Sequence, residues 1–243
     1  VEPDQQIRIN KYLSEVGFCS RRAADKLLEE GRITINGIVP ELGTKVGSTD
    51  VVAVDGKPVG KPIQAHTYIA FNKPVGIVST TDTKGEKDNI IDYIGHPQRI
   101  FPIGRLDKDS EGLILLTSEG DIVNKILRSK NNHEKEYIVT VDRPVNDEFV
   151  RLMGAGVPIL DTVTNPCKVE PISKFKFRII LAQGLNRQIR RMCEHFGFKV
   201  VQLKRIRIMN VHLDIPVGKW RDLTEKEMVE INEMVSDSSK TFD

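Results

Sequence analysis

Leu113 to Leu116 are four consecutive apolar residues, bracketed by Gly112 and by the Ser118-Glu119-Gly120 turn. A run this short, without alternation, reads as a strand buried on both faces. Such a strand belongs in the interior of a layered sheet domain. The loop that feeds it, Gly104-Arg105-Leu106-Asp107-Lys108-Asp109-Ser110-Glu111, sets Asp107 among charges and is anchored to rigid core. Loops held this way can place a reacting group accurately. The residue types alone also fit an Asx-turn, or a surface ion pair of Asp107 with Arg105 or Lys108.

The chain has 243 residues, 39% hydrophobic and 29% charged, enough for one substantial core and a small satellite domain. Residues 7 to about 58 carry their own signals. Ser20 is placed to cap a helix whose residues Ala23, Ala24, Leu27 and Leu28 share a face, with Gly31 as its stop. Arg21, Arg22 and Lys26 lie near its first turns, where basic side chains oppose the macrodipole. Arg32 to Gly37 and Asp50 to Gly56 read as strands running into turns. The Pro- and Gly-rich stretch Lys57 to Pro62 reads as a linker. The expected division is 1–58, a linker 59–66, a domain 67–235 and a flexible polar tail 236–243.

In the larger domain short strands predominate, at Tyr68 to Asn72, Gly112 to Thr117, Glu136 to Asp142, Phe175 to Leu181 and Val200 to Ile208. Helical spacing appears at Asp121 to Arg128, Asp147 to Met153, Asn186 to Phe196 and Thr224 to Val235, the last opening on a Thr224–Glu227 capping box. The mixture indicates an α+β fold. It lacks the regular alternation of a doubly wound sheet and shows no internal repeat.

Net charge is only +2, yet Arg178 to Arg221 holds ten basic residues against two acidic ones. Such clustering predicts positive potential over one region, unless the side chains scatter around the fold. Three cysteines without metal-ligand spacing point to a reducing, cytoplasmic setting, with no metal site and no disulfide framework. No apolar run approaches the roughly 20 residues that span a bilayer, so no membrane association is expected.

Asn186 to Gly197 can be read by faces, with Asn186 as cap and Gly197 as stop. Ile189, Met192, Cys193 and Phe196 form an apolar stripe, and Arg187, Arg191 and Glu194 fall opposite. At about 100° per residue, Arg190 lies nearest the core boundary. A guanidinium there needs a carboxylate, and Asp107 is the expected partner; a surface pair with Glu194 is the competing one.

The loop segment resembles the signature of the pseudouridine synthases, which convert a uridine within RNA to its C-glycoside isomer. Phe71 to Thr80 is similar to that family's opening strand and turn, His133 to Tyr137 to its tyrosine motif, and Gly184 to Met192 to its arginine motif. Residues 7 to 58 resemble the S4 RNA-binding module. Asn124 to Arg128 and Arg207 to Val211 favour the branch acting on ribosomal RNA, and the likeness covers about residues 7 to 231. The resemblance implies a small amino-terminal S4-like module plus a mixed, mainly antiparallel catalytic sheet. It implies catalytic roles for Asp107, Tyr137 and Arg190, with Arg105, Leu203, Arg187 and Arg191 at the substrate. Lys11, Arg21, Arg22, Lys26 and Arg32 would contact RNA through the module. The implied substrates are a uridine of 23S rRNA and, secondarily, a tRNA anticodon-arm uridine.

That reaction breaks N1–C1′, rotates uracil and joins C5 to C1′ without net redox change, so no cofactor is expected. An ionised carboxylate near the sugar is required, to attack C1′ or C6 or to remove a ribose proton. Tyr137 offers an aromatic face and a hydroxyl that can assist loss of the C5 proton. The nucleotide must be flipped out of its stack, and Arg105 is the expected wedge or phosphate clamp. Two other classes compete: a non-catalytic RNA-binding protein in ribosome assembly, and a glycoside-cleaving enzyme pairing Asp107 with Asp109 or Glu111. A monomer is expected, since no heptad or broad apolar face is evident.

Overall fold

A computed structural model describes residues 6–60, 66–127 and 132–236. Part of the expected linker (61–65), Arg128 and nearly all of the expected tail (237–243) lie outside the described residues. The chain forms two compact units, residues 1–66 and 67–243.

In the first unit, helices Ile9–Glu15 and Arg21–Glu29 pack on a three-stranded antiparallel sheet of Ile33–Ile35, Val52–Val54 and Lys57–Pro58. Ser20 Oγ accepts from the Ala23 amide at 3.1 Å, satisfying a donor at the second helix's start. Gly31, at φ +67°, supplies the left-handed turn beyond its end. The buried stripe is narrower than the sequence implies: Ala24 and Leu28 are buried, Leu27 is half-buried and Ala23 is exposed. Lys57 and Pro58 are an edge strand rather than linker, a position that tolerates the missing proline N–H. Helix Ile9–Glu15 has no side-chain cap at Arg8, so nothing in the sequence marks its start.

The second unit is built on one mixed sheet. Its strands run in the order Lys168–Ser173, Lys176–Leu181, Lys135–Val141, Val200–Ile208, Glu111–Thr117, Tyr68–Lys73 and Trp220–Asp222. Among the described strands of this sheet only Val200–Ile208 with Glu111–Thr117 is a parallel pair. The Leu113–Leu116 run is central and covered twice. Ile114 and Leu116 pack with Phe71, Val139 and Phe177 under helices Asp147–Gly154 and Gln188–His195. Leu113 and Leu115 pack with Ile122, Ile126 and Ile231 from helices Gly120–Leu127 and Glu225–Val235 on the other face. Each fully buried Leu or Ile contributes about 1.5–3 kcal/mol, which makes this strand the sheet's anchor. The Thr224–Glu227 capping box is present in both directions. Short edge pieces such as Phe101–Ile103 and Trp220–Asp222 lack a clear alternation and have no counterpart in the sequence reading.

Candidate active site

Asp107 lies between two pinned residues. Buried Ser79 accepts from the Leu106 amide (3.1 Å) and donates to the Leu106 carbonyl (2.8 Å), while the Leu106 side chain enters the core. On the other side the Gly76 amide donates to the Lys108 carbonyl at 2.7 Å, and the Ser110 amide closes a turn onto the Asp107 carbonyl at 3.0 Å. The loop is thus tied to the Lys73–Gly76 turn and to the strand it enters. The Asp107 side chain itself is one-third exposed, open to a ligand.

The arginines divide differently from the sequence expectation. Arg187 Nη1 lies 3.5 Å from Asp107 Oδ2 and, with Nη2, holds the Asp109 carboxylate through hydrogen bonds of 3.1 and 3.0 Å. Arg190 is buried as expected, but its partners are the Asp109 carbonyl (2.9 Å), Ser110 Oγ (3.1 Å) and Asp109 Oδ2 (3.5 Å). The expected Arg190–Asp107 pair, and its Glu194 alternative, are therefore replaced by Arg187–Asp107. The cause is local: the helix begins at Gln188, and Arg187 precedes it at φ +50°, ψ +34°. A left-handed residue outside the helix does not follow the helical face rule, so its side chain turns back to the loop. Asn186 does not cap the helix; its carbonyl and side-chain oxygens accept from Arg191 at 3.0 and 3.1 Å. The hydrogen bonds from Arg187, and then the nearby charges of Arg190 and Arg187, hold the Asp109 carboxyl below its ordinary range.

Lys73, fully buried, donates to the carbonyls of Pro74 (2.9 Å) and Ile77 (2.7 Å) and so shapes the turn that holds the Asp107 loop. Burial pulls its ammonium down to about 8, against the opposing pull of Asp107, Asp109 and Glu111. Neither Lys73 nor Ser79 stands out in the sequence; both lie in the Phe71–Thr80 motif, where a buried lysine has no periodic signature.

Tyr137 is 8% exposed on Lys135–Val141, opposite Ile179 and Arg205. Leu203 is buried opposite Val139, with the core under the site. Arg105 is exposed beside Asp107. In the first unit, Arg21, Arg22 and Lys26 are exposed, and Lys11 is half-buried at 3.4 Å from Glu15. Arg32 is already engaged: its Nε and Nη2 bond Asp55 at 2.8 and 2.6 Å, and Nη1 bonds Glu30 at 3.2 Å. The expected basic field over Arg178 to Arg221 is also broken up by carboxylates. Arg178 meets Glu136 and Glu170, Arg207 meets Glu134 and Glu136, and Arg221 meets Asp214 and Glu227.

The second unit thus sets a rigidly held carboxylate beside a guanidinium on a mixed sheet, and the first unit bears exposed basic residues. Residues 67–195 match the RNA pseudouridylate synthase family and residues 7–52 the S4 domain. The chain is 58% identical over 240 residues to the dual-specificity RNA pseudouridine synthase RluF of Escherichia coli (strain K12), covering 98% of this chain and 82% of that protein. It is 34% identical over 244 residues to ribosomal large subunit pseudouridine synthase B of Bacillus subtilis (strain 168), covering 97% and 99%. A crystal structure of a pseudouridylate synthase superposes with TM-score 0.68 at 28% identity, covering 93% of this chain and 99% of that one. The chain belongs to the RNA pseudouridylate synthase family: it is a pseudouridine synthase, an isomerase with an amino-terminal S4 domain that binds RNA. No helix among the described residues is long and apolar enough to cross a membrane.

Proposed function

We propose that this enzyme isomerises one uridine of 23S rRNA, with a tRNA anticodon-arm uridine as a second substrate, and that Asp107 carries the reaction. The observation that supports Asp107 most is its double anchorage, through Ser79 to Leu106 and through Gly76 to Lys108, with its carboxylate open and Arg187 alongside. The substrate assignment rests on the names of the relatives, one called dual-specificity and one a large ribosomal subunit enzyme.

With the target nucleotide flipped out, the Asp107 carboxylate faces the sugar–base junction. It can attack C1′ or C6, or remove a ribose proton; the three routes share the same group. The N1–C1′ bond breaks, uracil turns, C5 bonds C1′, the C5 proton leaves and N1 gains a proton. Arg187, 3.5 Å away, keeps the carboxylate aimed. Arg190 acts one step back, holding the Asp109 carbonyl and the Ser110 hydroxyl. Tyr137 stacks on the base and assists loss of the C5 proton, and Leu203 supports the pocket from below. Arg105 fills or clamps the gap left by the flipped base, and Arg191 contacts flanking phosphate. Residues 1–58 form the RNA-binding domain, in which Lys11, Arg21, Arg22 and Lys26 touch phosphate; Arg32 serves chiefly to hold Asp55. Residues 67–235 form the catalytic domain, and the enzyme acts as a cytoplasmic monomer without a cofactor.

Tritium at uridine C5 tests the reading. Release from labelled 23S rRNA by the wild type and none by Asp107→Ala is the expected result; equal release by both would remove Asp107 from the mechanism. A separate tRNA reaction tests the second substrate.

A further inference from the structure

Strand register sets five residues on one rung of the catalytic sheet. Ile179 pairs with Tyr137, Tyr137 with Arg205, Arg205 with Gly112 and Gly112 with Lys73. Laterally paired residues present their side chains on the same face. Gly112 contributes none, and a Cβ there would overlap the Arg205 carbonyl oxygen and meet its amide nitrogen at 2.8 Å. The bare position lets the parallel strand close up and leaves the Arg205 side chain beside Tyr137.

Arg205 is 3% exposed, with its guanidinium carbon 5.9 Å from the Tyr137 ring centroid. Nε donates to the Leu113 carbonyl at 2.6 Å, which fixes the plane of the fork. Nη2 is buried without a hydrogen-bond partner, and no carboxylate among the described residues lies within ion-pair distance of the group. Two further buried cations flank it, Lys73 and Lys135, and its charge opposes protonation of both. Core packing alone does not account for an unpaired cation among cations, because an apolar side chain would fill the place at lower cost. What the guanidinium does contact is the π-face of Tyr137, the interaction by which a cation orients a ring.

We propose that Arg205 is a positioning residue for the isomerisation, holding the Tyr137 ring, and so its hydroxyl, in the orientation that C5 deprotonation needs. The proposal rests on Tyr137 taking part in the reaction. Arg205 is carried on the rigid strand Val200–Ile208 and tethered by Leu113, so it fixes the ring from below without touching the RNA. A lysine retains the charge but loses the planar fork that bonds Leu113 and lies over the ring.

The test is a double-variant cycle on the full chain, using C5 tritium release at saturating and sub-saturating RNA. Arg205→Met is expected to lower kcat about 30-fold with KM changed less than about 2-fold, the pattern of misplacement rather than lost binding. Arg205→Lys recovers part of the loss. In the Tyr137→Phe background, Arg205→Met should cost no more than about 3-fold further, since the group it positions is gone. Should Arg205→Met not fold by chemical denaturation, the cycle is run with Arg205→Lys, whose smaller loss must likewise vanish with Tyr137→Phe. Effects that multiply in the double variant, or an unchanged kcat in the single one, overturn the proposal while leaving the tyrosine's role intact. Full activity of Tyr137→Phe removes the tyrosine reading itself, and the Arg205 proposal with it.

Discussion

Arg187 Nη1 lies 3.5 Å from Asp107 Oδ2 while the same guanidinium holds Asp109 by two hydrogen bonds. One side chain thereby sets the distance between the carboxylate proposed to react and a second that is structural. Arg187→Ala should lower kcat for tritium release about 100-fold, because a misplacement near 1 Å has that order of effect. Arg187→Lys should retain little, since an ammonium cannot hold Asp109 through two bonds and still reach Asp107. Steady-state kinetics on 23S rRNA decide it: an Arg187→Ala enzyme of wild-type rate would return the role to Arg190.

Ser79→Ala removes both hydrogen bonds that pin the Leu106 backbone in a buried setting. An unsatisfied buried group costs about 1–3 kcal/mol, so urea unfolding should show a loss of that order. The freed Leu106 also loosens Asp107. A fall in kcat larger than the fall in folded fraction is expected, and a purely proportional change would show that Ser79 serves folding alone.

Gly112→Ala places a methyl group against the Arg205 backbone at a residue with φ +107°. Side chains rarely adopt that conformation, and strand backbone cannot yield without breaking the one parallel pairing among the described strands. Destabilisation of about 3 kcal/mol or more is expected in denaturant titration. A change below about 1 kcal/mol would mean that the two strands can part cheaply.

The sequence carried the sheet well where the signal was local. The unbroken Leu113–Leu116 run, the Ser20 cap and the Thr224–Glu227 box each correspond to what folds, because each acts within a few residues. The loop carrying Asp107 was likewise visible through the buried strand after it. Partnerships across the fold were not. Arg178, Arg187, Arg190, Arg207 and Arg221 count as surplus positive charge along the chain, yet each meets a carboxylate, most of them from distant segments. Asp107 pairs with Arg187 rather than with the expected Arg190 because a single left-handed residue redirects a side chain that helical geometry would send outward. Ser79 and Lys73 act through backbone carbonyls and amides, contacts that no side-chain pattern encodes.

In the first unit Arg22 and Lys26 are exposed on the helix that Ser20 opens, while Arg32 is committed to Asp55. Replacing Arg22 and Lys26 by alanine should weaken RNA binding and flatten its salt dependence. Each lost phosphate contact lowers the slope of log K against log salt by about 0.7–0.9. Filter binding between low and moderate salt measures it. Arg32→Ala should leave the slope nearly unchanged, and a drop equal to that of Arg22→Ala would restore Arg32 to the interface.

Lys135 is buried, with its ammonium bonded to the carbonyls of Ala182 (3.1 Å) and His133 (3.4 Å), and burial, with the Arg205 charge, lowers it to about 8. A lysine pushed down on folding makes the unfolded chain bind more protons between about pH 8 and the ordinary lysine value of about 10.4, so stability from this group rises with pH across that window. Below pH 8 both states are charged and the cost of burial stands in full. Cys167 and Cys193 act in reverse above about pH 9, since burial raises their thiols to about 11 and about 12. Comparison with Lys135→Met cancels those contributions. The wild type should gain on Lys135→Met as pH rises from about 7 to about 9.5, with a slope of at most about 1.4 kcal/mol for each pH step of one. Parallel stability curves for the two proteins would mean that Lys135 stays protonated in the folded state throughout.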